Sequence, residues 1–171
     1  MKVDSSKKFK VGKVRKNKRL DKLYSEYKSI RGRQYRMDAV FRELVAKKTG
    51  MTMTELSCAG YLIEKGQATP GELANITGLT SGAITGIITR LEKRGYVTYA
   101  RDTKDRRKVI VQSVPKKIAL AMLYYQPLSE KYYRLLSTFN EEQIEFLMYK
   151  SKCISKMLQE EIDRLHKGET R

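Results

Sequence analysis

From Leu20 the apolar residues recur in alternating three- and four-residue steps. Leu20, Leu23, Tyr27, Ile30, Met37, Phe41 and Leu44, with Gln34 in register, draw a stripe along a long amphipathic helix, which Gly32 weakens locally. A second long helix is expected from about Asn140, where Asn140 and Gln143 have capping-box spacing; its stripe is Ile144, Leu147, Ser151, Ile154, Leu158 and Leu165. Between them Pro115 opens a further helix carrying Ile118, Met122, Tyr125, Leu128, Tyr132 and Leu135, which Pro127 should kink or interrupt.

The stretch from Thr69 to Lys108 has a different grain. Thr69, Pro70 and Glu72 fit a helix start, with a Thr oxygen capping a free amide, Pro in the first turn and Glu reaching back. Gly78 supplies the permissive backbone of a helix end, and Thr80-Ser81 opens a longer helix that stops at Gly95. Two helices across so short a turn make a helix-turn-helix. Ile84, Ile87, Ile88 and Leu91 share the inward face of the second helix, leaving Ser81, Gly82, Thr85, Gly86 and Thr89 opposite. A low, hydroxylated face of this kind fits deep in a DNA major groove, where hydroxyls meet base edges or phosphates and a Thr methyl can touch the thymine methyl. A plain solvated face is the other reading of these residues.

Tyr96 to Arg101 and Val109 to Val114 are rich in β-branched and aromatic residues, and the polar segment DTKDRRK joins them as a β-hairpin. Arg101, Lys104, Arg106, Arg107 and Lys108 surround its tip with Asp102 and Asp105, an arm suited to phosphate contact or to a narrow minor groove. Asp105 would orient a neighbouring Arg, Arg107, by a charge-assisted hydrogen bond. A soluble turn with a local ion pair accounts for the same letters.

Charge weighs between these readings. The 171 residues hold 36 Lys and Arg against 19 Asp and Glu, a formal net of +17, which points to a polyanionic partner. Residues 1–20 carry nine basic side chains and one acid, and residues 79–108 carry eight basic and three acidic, so the excess sits in a tail and in the helix with its hairpin. Neither segment has the apolar face that a membrane surface would require. Residues 1–19 have little to bury and read as a basic tail that is mobile without a partner.

Other chemistries find few residues. The one histidine, His166, lies near the C-terminus, so no His-based acid–base pair, triad or metal site can be assembled around it. Glu141, Glu142 and Glu145 suit the acidic start of a helix, and GELANITG and GAITG lack the spacing and Lys of a nucleotide loop. No enzyme activity, metal or cofactor is expected. Two cysteines in separate helices, Cys58 and Cys153, suit a reducing compartment. With no apolar run of roughly 18 residues and no apolar N-terminal stretch, a cytoplasmic location is expected and no membrane partner.

The run LTSGAITGIITRLEKRGYVTYARDTKDRRKVIVQSVP resembles the DNA-binding core of the MarR family of bacterial winged-helix transcription regulators, in which a recognition helix is followed by LE-x-x-G and a wing carrying DRR. The resemblance spans Met53 to Pro115, about a third of the chain. It implies a triangular dimer joined through N- and C-terminal helices, and DNA contacts from Ser81, Gly82, Thr85, Thr89, Arg90, Arg101, Lys104, Arg106, Arg107 and Lys108. At Gly86 the chain departs from the many relatives with an Arg or another large side chain, so base contacts made there cannot be carried over.

Such relatives often bind a phenolic or other apolar effector between the dimerisation helices and the DNA-binding lobe, where this chain places Tyr35, Tyr61, Tyr124 and Tyr125. Interface and core packing is the alternative use of these rings. Some relatives sense peroxide through a Cys near the first helix, whereas Cys58, in LSCAGYLI, reads as a small buried residue.

The expected fold is mainly α with a small β-hairpin wing (α+β), a winged helix-turn-helix flanked by N- and C-terminal dimerisation helices. The tail would occupy 1–19, the N-terminal dimerisation helix 20–50, the DNA-binding domain 51–114 and the C-terminal dimerisation helices 115–171. Long end stripes that one copy cannot bury call for a homodimer, which would set two recognition helices roughly 34 Å apart on a pseudo-palindromic DNA site. The expected function is that of a sequence-specific regulator, a repressor relieved by a small aromatic or apolar effector. The alternative is a winged-helix DNA-coating or protein-recruiting factor with little sequence preference.

Overall fold

Four helix starts in the computed structural model, which describes residues 17–101 and 109–168, carry side-chain caps. Helix α1 spans Lys18–Thr49 and runs through Gly32 without a break. Thr52 and Glu55 then form a reciprocal capping box that opens α2, Met53–Lys65. After the two-residue strand β1, Gln67–Ala68, a second such box between Thr69 and Glu72 opens α3, Pro70–Thr77, with Pro70 in its first turn. Gly78 ends α3 in the left-handed conformation at φ 67°, where a Cβ would be strained. Thr80 caps α4, Ser81–Lys93, through the Ala83 amide.

Strands β2, Val97–Arg101, and β3, Val109–Ser113, pair antiparallel from Val97 opposite Ser113 to Arg101 opposite Val109. Strand β1 pairs with the other edge of β3, giving the order β1-β3-β2. Gln67 and Gln112 reinforce that edge with a side-chain hydrogen bond of 3.1 Å. The two-residue strand was invisible in the sequence, because it is too short for any periodicity.

Helix α4 sinks Ile84, Ile87, Ile88 and Leu91 into the core, where they meet Leu56, Cys58 and Leu62 of α2, Leu73 of α3 and Val111 of β3. Burial of aliphatic side chains this complete stabilises the unit by about 1.5–3 kcal/mol each and fixes which face of α4 turns outward.

Helix α5, Pro115–Met122, adds Ile118 and Ala121 to the same core. The interruption expected near Pro127 is present, but it falls at residues 123–125, and Pro127 sits in the first turn of α6, Gln126–Leu136. That placement follows from Pro chemistry, since its missing N–H and fixed φ are tolerated at a helix start. Helix α7, Glu141–His166, opens on the Asn140–Gln143 capping box. The chain divides into two compact units, one over residues 19–127 and one containing residues 128–168. No helix among the described residues is long and apolar enough to cross a membrane.

Candidate nucleic-acid interface

On the outer side of α4, Ser81, Gly82 and Thr85 are exposed, while Gly86 and Thr89 are half-buried. The Thr85 hydroxyl donates to the Ser81 carbonyl at 2.8 Å, and the Thr89 hydroxyl donates to the Thr85 carbonyl at 2.9 Å. Each hydroxyl proton is therefore engaged within the helix, which leaves the oxygen lone pairs and the methyl group as the chemistry these residues can offer outward. Such a surface suits base-edge amino groups and the thymine methyl better than it suits acceptors.

Arg90 is more than a basic side chain on this helix. Its Nε donates to Glu55 Oε1 at 3.0 Å, and Arg94 Nη1 approaches Glu55 Oε2 at 3.4 Å. Glu55 is buried at 2 % exposure, and its Oε2 also accepts the Thr52 amide at 2.9 Å. Arg94 continues to the Thr49 carbonyl at 3.0 Å and lies 5.0 Å over the Tyr96 ring. One carboxylate thus ties the start of α2 to the end of α4, and through Arg94 to the end of α1. Sequence reasoning missed Glu55. The T-x-x-E spacing from Thr52 is a signal that could have marked it as a helix cap, but nothing local points to arginines 35 and 39 residues away.

Arg101 is exposed at the end of β2, opposite Val109, and so stands at the base of the hairpin. The expected tip contacts, Lys104, Arg106, Arg107 and Lys108 with Asp105 orienting them, lie outside the described residues, as does most of the basic tail.

The four tyrosines expected around an effector separate. Tyr61 and Tyr125 line one cavity of about 360 Å³ with Arg42, Met53, Leu56, Ser57, Gly60, Glu64, Ile76 and Met122. Phe41 meets Tyr125 edge to face, with ring centroids 5.3 Å apart, and partial burial raises the Tyr125 phenol above its ordinary range. Tyr35 and Tyr124 do not line this cavity. Tyr35 lies two turns before Arg42 on α1, about 10 Å away along the axis, and its hydroxyl accepts from Arg31 Nε at 2.9 Å. Tyr124 is exposed in the short break between α5 and α6.

Comparison with known proteins agrees with this geometry. The MarR family model matches residues 49–108, the span from the end of α1 to the residue before β3. YcgE of Bacillus subtilis, an uncharacterized HTH-type transcriptional regulator, is 33% identical over 126 residues, covering 74% of this chain and 82% of its own. A MarR family protein from Bacillus stearothermophilus superposes with a TM-score of 0.57 at 23% identity, over 85% of this chain and 98% of the other. NadR in complex with 4-hydroxyphenylacetate gives a TM-score of 0.57 at 21% identity, over 77% of this chain and 89% of that structure. With the family model over residues 49–108, the 33% identity to YcgE across most of both chains and a winged helix-turn-helix fold, the chain belongs to the MarR family of DNA-binding transcription regulators.

Proposed function

We propose that the protein is a homodimeric, sequence-specific DNA-binding regulator that represses until a small aromatic or apolar effector releases it. The observation that carries the DNA reading is the division of α4, with four large aliphatic side chains buried and Ser81, Gly82 and Thr85 exposed on the opposite side. Ser81 and Gly82 also occupy the first turn, where amides that lack partners within the helix favour a phosphate. In this reading Thr85 and Thr89 meet base edges, Arg90 contacts DNA from the same helix, and Arg101 and the wing residues Lys104, Arg106, Arg107 and Lys108 clamp phosphates or the minor groove.

Dimerisation is supported by α1, in which Val45 and Ala46 are the buried residues while Leu20, Leu23, Ile30, Met37, Val40 and Leu44 remain exposed. So much apolar surface along one helix suits burial against a second copy. Effector control is supported by the cavity at Tyr61 and Tyr125, which combines apolar walls with the polar ends of Arg42 and Ser57. The NadR structure holds a phenolic acid, a molecule of the class that such walls and polar ends would accept.

Selection from a randomised duplex library tests the function. A dimeric reader enriches a pseudo-palindrome, Thr85→Ala relaxes the preference at one base position per half-site, and an aromatic acid lowers the bound fraction. A pool that stays unenriched while binding persists would favour a DNA-coating or protein-recruiting role instead.

A further inference from the structure

Gly86 and Arg90 stand four residues apart on α4, one above the other on the same face. Long side chains on a helix lean toward its N-terminus, so Arg90 covers the turn that contains Gly86. Arg90 Nη1 lies 3.8 Å from where a Cβ on Gly86 would be. The guanidinium therefore rests across the place where Gly86 has no side chain of its own. Its Nε is held by Glu55, and the side chain is 56% exposed.

The anchor is rigid. Glu55 has a side chain only 3% exposed, with one oxygen committed to the Thr52 amide at 2.9 Å and the other to Arg90 at 3.0 Å. Arg94, the second arginine on this carboxylate, uses its other Nη on the Thr49 carbonyl and is thereby turned back into the protein. Arg90 has the opposite disposition, with its inner nitrogen engaged and its outer end lying over the reading face.

From this geometry we infer that Glu55 is a positioning residue for DNA binding: it fixes Arg90 so that the guanidinium's outer nitrogens serve the recognition-helix face at Gly86. The inference rests on the proposed DNA reading by α4. With Nε occupied, the Nη1 and Nη2 pair offers two parallel donors, which match paired acceptors on DNA, either phosphate oxygens or guanine O6 and N7. Holding the side chain in one rotamer before binding removes the ordering cost that a free arginine would add.

Glu55→Gln separates positioning from simpler effects. Gln also completes a capping box, so the start of α2 is kept. It has one acceptor oxygen, however, and with that oxygen on the Thr52 amide its NH2 faces the Arg90 Nε–H, donor against donor. Arg90 is then released among about three staggered rotamers, and DNA affinity falls about threefold. Simple charge removal has the opposite sign, since deleting a negative charge near DNA strengthens binding.

The test is a double-mutant cycle with the full chain and the duplex it most enriches from a randomised library, comparing wild type, Glu55→Gln, Arg90→Ala and the double variant. Arg90→Ala is expected to weaken binding about tenfold, and Glu55→Gln about threefold in the wild-type background with no further loss in the Arg90→Ala background. Under the same inference, a salt dependence flattened by about one charge in Arg90→Ala identifies phosphate as the partner, and a lost guanine preference at one position identifies a base. Unchanged or tighter binding by Glu55→Gln overturns the inference. An equal loss in both backgrounds also overturns it, because that marks a purely structural effect. Full affinity in Arg90→Ala does the same while leaving the DNA reading intact. A library that wild type fails to enrich overturns the DNA reading itself, and this inference with it.

Discussion

Arg90 donates its Nε–H to Glu55 Oε1 across 3.0 Å, joining α4 to the first turn of α2. The same carboxylate accepts the Thr52 amide, so a helix cap and a tertiary tie share one side chain. The Thr69–Glu72 box has the same local chemistry, but its Glu is exposed and bonds only to Thr69 among the contacts described. Glu55→Ala should cost roughly 2–3 kcal/mol in urea unfolding, the sum of a lost cap and a lost charged hydrogen bond, whereas Glu72→Ala should cost about 1 kcal/mol. Equal losses would mean that the ties to Arg90 and Arg94 add nothing to the fold.

The exposed box has a pH signature. Hydrogen bonds from the Thr69 amide and hydroxyl hold the Glu72 carboxyl below its ordinary value of 4.5. A group depressed in the folded state adds stability that is present above the unfolded value and lost as pH falls through the folded one. The Thr69 amide resonance should therefore titrate with a midpoint below 4.5. Movement centred above that value would contradict the bonding described.

Two glycines in the helix-turn-helix should answer oppositely to alanine. Gly86 has helical geometry, and an added Cβ would meet Arg90 Nη1 at an ordinary 3.8 Å, so Gly86→Ala should stabilise by about 0.5–1 kcal/mol. Gly78 ends α3 at φ 67°, so Gly78→Ala should destabilise by about 1–2 kcal/mol. Thermal unfolding of the two variants gives the signs directly.

Cys58 is fully buried, and burial pushes its thiol up to about 11, with the nearby Glu55 charge adding to the shift. In the native protein at neutral pH, iodoacetamide should leave Cys58 unmodified until denaturant is added, while the half-buried Cys153 reacts first. Peptide mass spectrometry of the labelled chain decides the order. Fast labelling of Cys58 in the native state would reopen a redox role.

The legible parts of this protein were the local ones. Thr69, Thr80 and Asn140 cap the helices the sequence assigned to them, because a cap is settled within three or four residues. The buried stripe of α4 and the burial of Cys58 were equally readable from spacing and neighbours. What escaped was non-local. Glu55 looked like an ordinary position until the fold brought Arg90 and Arg94 to it, and β1 exists only because β3 offers it an edge. The tyrosines show the same limit: the family resemblance names Tyr35, Tyr61, Tyr124 and Tyr125 without saying which of them share a cavity, and the fold brings together Tyr61 and Tyr125, with Tyr35 two turns away from Arg42 on α1 and Tyr124 exposed before α6.

In the proposed dimer, two copies of α4 read one DNA site. Hydroxyl-radical footprinting of the protein on its own promoter region is the test. Two protected half-sites are expected, their centres about one helical turn, roughly 34 Å, apart and related by a pseudo-dyad. Uniform weak protection along the duplex, with no paired half-sites, would contradict it.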